Sequence, residues 1–269
     1  MKIIIIIISF ILLLSINLLA QFQYETIEYG NQISNVTDIY FANPNTGYVM
    51  GYLDNNSPKL YKTTNKGASW TVRKDFGNIQ NSYWAAAPTI SFINANTGWA
   101  LIGYFSSGDM FTNYCEMLKT NDGGATWSRV FLREYSGPPP TTEIYGPIKF
   151  IDESTGYLID RISRDLMKTT NGGLNWTTIK PVPNVSSCRF NVLEVSPTNP
   201  LRLYLGGTKF MGGGNNNPLF YVSNDGGASF QTIYDGTLQN GMIGIYNLTI
   251  VNNNNVDLVR LASNSILFE

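Results

Sequence analysis

With no histidine anywhere in its 269 residues, this chain must do any chemistry with carboxylates, hydroxyls, lysines or arginines. That single absence removes Ser-His and Cys-His nucleophiles, imidazole metal sites and histidine acid–base work. Two groups of carboxylates are worth weighing. Asp122 and Asp225 recur inside a repeated octapeptide, whereas Glu143, Asp160 and Asp165 fall between repeats. A glycosidase would need two such groups about 5 to 9.5 Å apart across a cleft. The two cysteines, Cys115 and Cys188, occupy non-equivalent places in the repeat, so the spacing selects no disulfide and their pairing stays open.

The elements that would carry these residues follow from the repeat itself. Residues 63–70 read TTNKGASW, 120–127 TNDGGATW, 169–176 TTNGGLNW and 223–230 SNDGGASF. A second signature precedes three of them: NPNTGYVMG at 43–51, NANTGWALIG at 94–103 and DESTGYLID at 152–160. The fourth unit has VSPTNPLRLYLGG at 195–207 in the same place. The closing aromatics Trp70, Trp127, Trp176 and Phe230 are spaced by 57, 49 and 54 residues. Within the first unit, 38–42, 48–52, 59–63 and 69–73 read as short strands A to D, rich in β-branched and aromatic residues between Gly, Asn and Asp turns. Helical periodicity is absent. Four antiparallel strands per unit predict an all-β fold, a β-propeller of four-stranded blades.

The octapeptide resembles the Asp-box, or bacterial neuraminidase repeat, of sialidases, xyloglucanases, sortilin-type receptors and the photosystem II assembly factor family. The paired NTGWALIG signature is most similar to that last family and its secreted bacterial relatives. The resemblance covers nearly all of residues 36–269 and places each box at the turn between strands C and D.

The residues explain why such a turn recurs. An acceptor oxygen at the third position can take turn N–H groups, and Gly at the fifth can adopt positive φ without steric cost. The third position is Asp122 and Asp225 in two copies but Asn65 and Asn171 in the others, which keeps the oxygen and discards the charge. A catalytic or metal-binding carboxylate would not tolerate that exchange. Gly67, Gly124, Gly173 and Gly227 hold the fifth position, while Lys66 at the fourth suggests that glycine is not needed there. The closing rings of Trp70, Trp127, Trp176 and Phe230 are expected to be buried between blades. The boxes therefore read as architecture, with no catalytic residue, metal or cofactor among them.

Four boxes predict four complete blades. After Phe230 come A-like, B-like and C-like segments at 248–251, 256–262 and 265–268, and residues 24–30 (YETIEYG) align with the outer strand FQTIYDG at 230–236. The N-terminal segment is thus expected to complete a fifth blade, pairing an otherwise open edge. The alternative is a truncated larger propeller.

If A–B and C–D turns share one face, recognition is left to the D–A and B–C connections opposite. These carry Tyr83, Trp84, Tyr104, Phe105, Tyr114 and Tyr145, together with Arg161 and Arg189, which form the candidate binding face. Aromatic surfaces suit protein partners or sugar rings. The family's arginine-bearing sialidase motif is missing, and nothing in the spacing of Glu143, Asp160 and Asp165 distinguishes them from solvated loop acids. A formal net charge of -1 without a basic stripe excludes nucleic acid. Residues 1–20, with Lys2 before an apolar run, read as a signal peptide ahead of a single domain at 21–269. The expectation is an exported, monomeric, non-catalytic propeller with no membrane span after cleavage, extracellular, cell-surface or periplasmic, that binds a protein or glycan ligand. A xyloglucanase-like or sialidase-like glycoside hydrolase is the alternative.

Overall fold

The computed structural model describes residues 35–52, 57–77, 85–105, 112–136, 145–160, 165–179, 188–210, 216–235, 244–245, 247–253, 256–262 and 267–268. The chain is a β-propeller. Blade 1 is β1 (Asn35–Phe41), β2 (Gly47–Tyr52), β3 (Pro58–Thr63) and β4 (Thr71–Asp75). Blade 2 is β5 (Ala85–Phe92), β6 (Gly98–Phe105), β7 (Thr112–Thr120) and β8 (Ser128–Ser136). Blade 3 is β9 (Tyr145–Phe150), β10 (Gly156–Asp160), β11 (Asp165–Thr169) and β12 (Thr177–Ile179). Blade 4 is β13 (Cys188–Val195), β14 (Leu203–Phe210), β15 (Asn216–Ser223) and β16 (Gln231–Asp235). A fifth sheet contains β17 (Asn247–Asn253), β18 (Val256–Ala262) and β19 (Leu267–Phe268). Every pairing is antiparallel and in sequence order, as hairpin-linked strands require. The segment 24–30, expected to close the fifth blade, and the leader at 1–20 lie outside the described residues.

First strands of successive blades lie side by side and are tied across the seams. Thr37 Oγ1 donates to Pro88 O at 2.7 Å, and Asp38 Oδ2 accepts from Thr89 Oγ1 and Ile90 N. Ser91 Oγ accepts from Phe150 N at 2.8 Å, and Lys149 Nζ pairs with Glu194 at 3.0 Å. Burial raises the Glu194 pKa, with Asp38 adding to that rise, while Lys149 opposes it.

The core is a series of interblade seams. Trp99, Leu101, Met117, Ile148, Phe150 and Leu158 fill the seam between blades 2 and 3, and Tyr157, Leu166, Phe190, Leu203 and Tyr221 the next. The first two seams are keyed by stacked rings. Tyr48 lies on Phe92 with centroids 4.0 Å apart, and Trp99 on Phe150 at 3.7 Å. A lysine from the adjacent strand covers the other face: Lys62 over Tyr48, Lys119 over Trp99 and Lys168 over Tyr157, at 5.0 to 5.4 Å. The polar tips then cross to the following blade, Tyr48 Oη to Ala95 O, Trp99 Nε1 to Gly172 O and Tyr157 Oη to Gly226 O.

Candidate functional site

The four octapeptides form one hydrogen-bonded turn, repeated. Thr63, Thr120, Thr169 and Ser223 are each 1 % exposed. Each hydroxyl accepts the N–H of the glycine four residues on and donates to the third-position oxygen. That oxygen in turn accepts an N–H from the far side of the turn: Asn65 from Ser69, Asp122 from Ala125 and Thr126, Asn171 from Asn175, Asp225 from Ser229. The side-chain and backbone donors of Ser229 hold the Asp225 carboxyl down at about 2, and those of Thr126 depress Asp122 further. Both carboxylates are therefore spent on their own turns.

Gly67, Gly124, Gly173 and Gly227 have φ of 86 to 96°. The fourth position is left-handed too, at 63 to 73°, including Lys66. Glycine is thus not obligatory at this position, as expected, but its backbone has positive φ in every copy, which Lys66 adopts against the usual preference. Crowding sets the difference. A Cβ on Gly123 would lie 2.8 Å from Tyr48 Oη and 2.9 Å from Ala95 O, both brought by the seam. The fourth-position N–H also donates to the A–B turn of its own blade, Lys66 to Asn45 O, Gly123 to Asn96 O, Gly172 to Ser154 O and Gly226 to Leu201 O. The two sequence signatures are thus halves of one joint on one face. Trp127 and Trp176 close it, each donating Nε1 to the carbonyl of its box glycine and meeting Phe92 or Phe150 edge-on. Phe41 meets Trp70 in the same way, and Phe230 packs on the seam of blades 3 and 4.

β2, β6, β10 and β14 all start opposite the first residue of their box, at Thr63, Thr120, Thr169 and Ser223. From that common origin they lead toward the opposite rim, where the described part of blade 3 ends at a pair of carboxylates.

Asp160 and Asp165 are that pair. They are direct cross-strand partners, 2 % and 8 % exposed. Strand alternation puts them on the side of Leu158 and Met167, which face blade 2. There Arg133 of β8 reaches Asp160 at 3.3 Å with its own side chain 42 % exposed. A register shift just before Asp160 re-aims it at the end of the ladder. Cys115, paired in register with Arg133, is fully buried behind them; burial pushes its thiol far up, with smaller contributions from Glu116 and Asp160. Cys115 and Cys188 are both buried and form no disulfide with each other.

Several residues expected in connections belong to strands. Tyr104 and Phe105 end β6, Tyr114 lies in β7, Tyr145 begins β9 opposite Asp160, and Arg189 lies in β13 opposite Thr208. The physical reason is that the blade 2 ladder continues through these aromatics, which pair well in extended backbone and carry no turn signal. Tyr83, Trp84, Arg161 and Glu143 lie outside the described residues, as do the connections 137–144 and 180–187. Among the described residues no three Asp, Glu or Cys side chains gather as a metal site would require.

No protein-family model and no curated protein matches the sequence. Solved structures do match in fold. YCF48 from Cyanidioschyzon merolae is similar with a TM-score of 0.51 at 16% identity over 88% of this chain and 66% of that one. A GH93 α-L-arabinofuranosidase of Fusarium graminearum in complex with arabinobiose gives 0.58 at 16% over 90% and 80%. An α-L-arabinanase of Penicillium chrysogenum complexed with arabinobiose gives 0.56 at 14% over 90% and 80%. Likeness at this identity speaks to the propeller fold, and fold alone does not assign an activity.

Proposed function

We propose that this chain is an exported, non-catalytic propeller of the Asp-box type that offers the rim opposite its repeated turns to a protein or glycan ligand. One observation carries the reading. The two carboxylates that recur with the repeat are consumed by hydrogen bonds within their own turns, and the other two copies do the same work with an amide. Recognition is left to the opposite rim, where the connections vary in length and composition from blade to blade.

A glycoside hydrolase is the second reading, favoured by the adjacent carboxylates of Asp160 and Asp165 and by the fold it would share with the two arabinan-type hydrolases. Incubation with arabinan, xyloglucan and sialoside substrates separates the two. The binding-module reading expects no hydrolysis. Turnover that disappears in Asp160→Asn or Glu143→Gln would overturn it.

A further inference from the structure

We infer that Asn171 is a modification site: an Asn–Gly pair whose deamidation is gated by the joint between blades 2 and 3, so that opening of that joint is recorded as a new negative charge. The chemistry is intramolecular. The backbone nitrogen of Gly172 attacks the side-chain Cγ of Asn171. A C–N bond forms, the Cγ–Nδ2 bond breaks, and ammonia leaves with the proton of the Gly172 N–H. Water then opens the cyclic imide. Breaking its Cγ–N bond restores the chain with aspartate, and breaking its backbone C–N bond leaves isoaspartate. No other reactant is needed.

Among the four octapeptides only the third pairs an amide with a following glycine. In the first, Asn65 is followed by Lys66, whose side chain crowds the attacking nitrogen as glycine does not. In the second and fourth, Asp122 and Asp225 are held ionised by their turns, and a carboxylate has no leaving group to match ammonia. Asn171 is exposed, so water and base reach it. What restrains it is hydrogen bonding. Gly172 donates its N–H to Ser154 O at 2.8 Å and accepts Trp99 Nε1 of blade 2 on its carbonyl at 3.0 Å. Ser154 is itself pinned, because Asp152 Oδ1 accepts the N–H groups of Ser154 and Thr155 at 2.7 and 2.6 Å. The amide is held away from the nucleophile: Asn171 Oδ1 accepts from Thr169 Oγ1 at 3.0 Å and from Asn175 N at 2.9 Å. Cyclisation has to break these bonds, so it proceeds from the locally opened chain and its rate reports how often the joint opens. The product adds one negative charge to a chain of formal net charge -1. As aspartate it also supplies the acceptor that Asp122 and Asp225 already use in the same turn.

The test is incubation of the full chain at mildly alkaline pH, with deamidation at Asn171 followed by peptide-mapping mass spectrometry, which separates it from the Asn–Gly pair at Asn240. The denatured chain converts at Asn171, and the native chain converts at least about tenfold more slowly. Trp99→Phe, which keeps a ring on Phe150 but removes the donor to Gly172, speeds conversion in the native chain at least about threefold and leaves the denatured rate unchanged. Where Trp99→Phe fails to fold, Asp152→Ala loosens the same joint from the A–B turn of blade 3 and speeds conversion likewise. Phe220→Leu, in the seam of blades 4 and 5, leaves the native rate as in wild type. Equal rates in the native and denatured chains, or native rates unchanged in both Trp99→Phe and Asp152→Ala, overturn the inference. Equal acceleration by Phe220→Leu also overturns it, since the opening would then be global rather than that of one joint.

Discussion

At the scale of single residues, the hydroxyl that opens each octapeptide matters as much as the carboxylate that gives such boxes their interest. Thr120 accepts Gly124 N at 2.9 Å and bonds Asp122 while almost wholly buried. Replacing it with Val leaves the Gly124 N–H without a partner, and we expect a loss of about 1 to 3 kcal/mol in denaturant unfolding. Thr120→Ser should be nearly neutral, since Ser223 fills the same role in blade 4. Asp75 supplies a pH signature. Burial pushes its carboxyl up, but hydrogen bonds from Lys59, Ser57 and the Gly77 N–H outweigh that and hold it at about 2. A carboxyl lowered in the folded state contributes stability above its unfolded value, about 3.9, which is lost as pH falls through the folded one. Asp75→Asn should therefore flatten the decline of the melting temperature between about pH 4 and the folded value of about 2.

At the scale of elements, the joint between neighbouring strands and blades explains which glycines are indispensable. Gly47, Gly98 and Gly156 open strand B opposite Phe41, Phe92 and Phe150, and a Cβ at Gly98 would sit 2.4 Å from the Phe92 ring. That ring is sandwiched by Tyr48 and cannot withdraw. Gly98→Ala should cost about 1 to 3 kcal/mol as overpacking, read by chemical denaturation.

These elements also mark what the sequence could disclose. Strand order, the positive φ of the fifth-position glycine and the shared face of the two signatures were legible because four copies exposed which features vary and which do not. The structural role of the opening Thr or Ser was visible as a recurring residue type, but its hydrogen bonds depend on turn geometry. The extension of β6 and β7 through Tyr104, Phe105 and Tyr114 was not legible, since Gly103 directly precedes Tyr104 and reads as a break in the strand. Nor does spacing reveal that Arg133 meets Asp160, because that contact is made only when two blades pack.

At the scale of the whole molecule, the propeller divides its labour between two faces. One face is repetitive, its carboxylates and amides tied into turns and its rings locked across seams. The other varies from blade to blade, with Asp160 paired to Arg133 where blades 2 and 3 pack. That division is the central claim, and thermal melting at neutral pH of two double variants tests it most directly. Asp122→Asn with Asp225→Asn should melt only slightly below wild type, losing the charge-assisted part of the bonds from Thr126 and Ser229 but keeping turns of the kind Asn65 and Asn171 already hold. Gly124→Ala with Gly227→Ala, forced to φ near 86 and 89°, should melt lower by about 4 °C or more. Equal loss in both double variants, or loss in the Asp pair alone, would contradict the account, since the charge rather than the turn would then be what the repeat preserves.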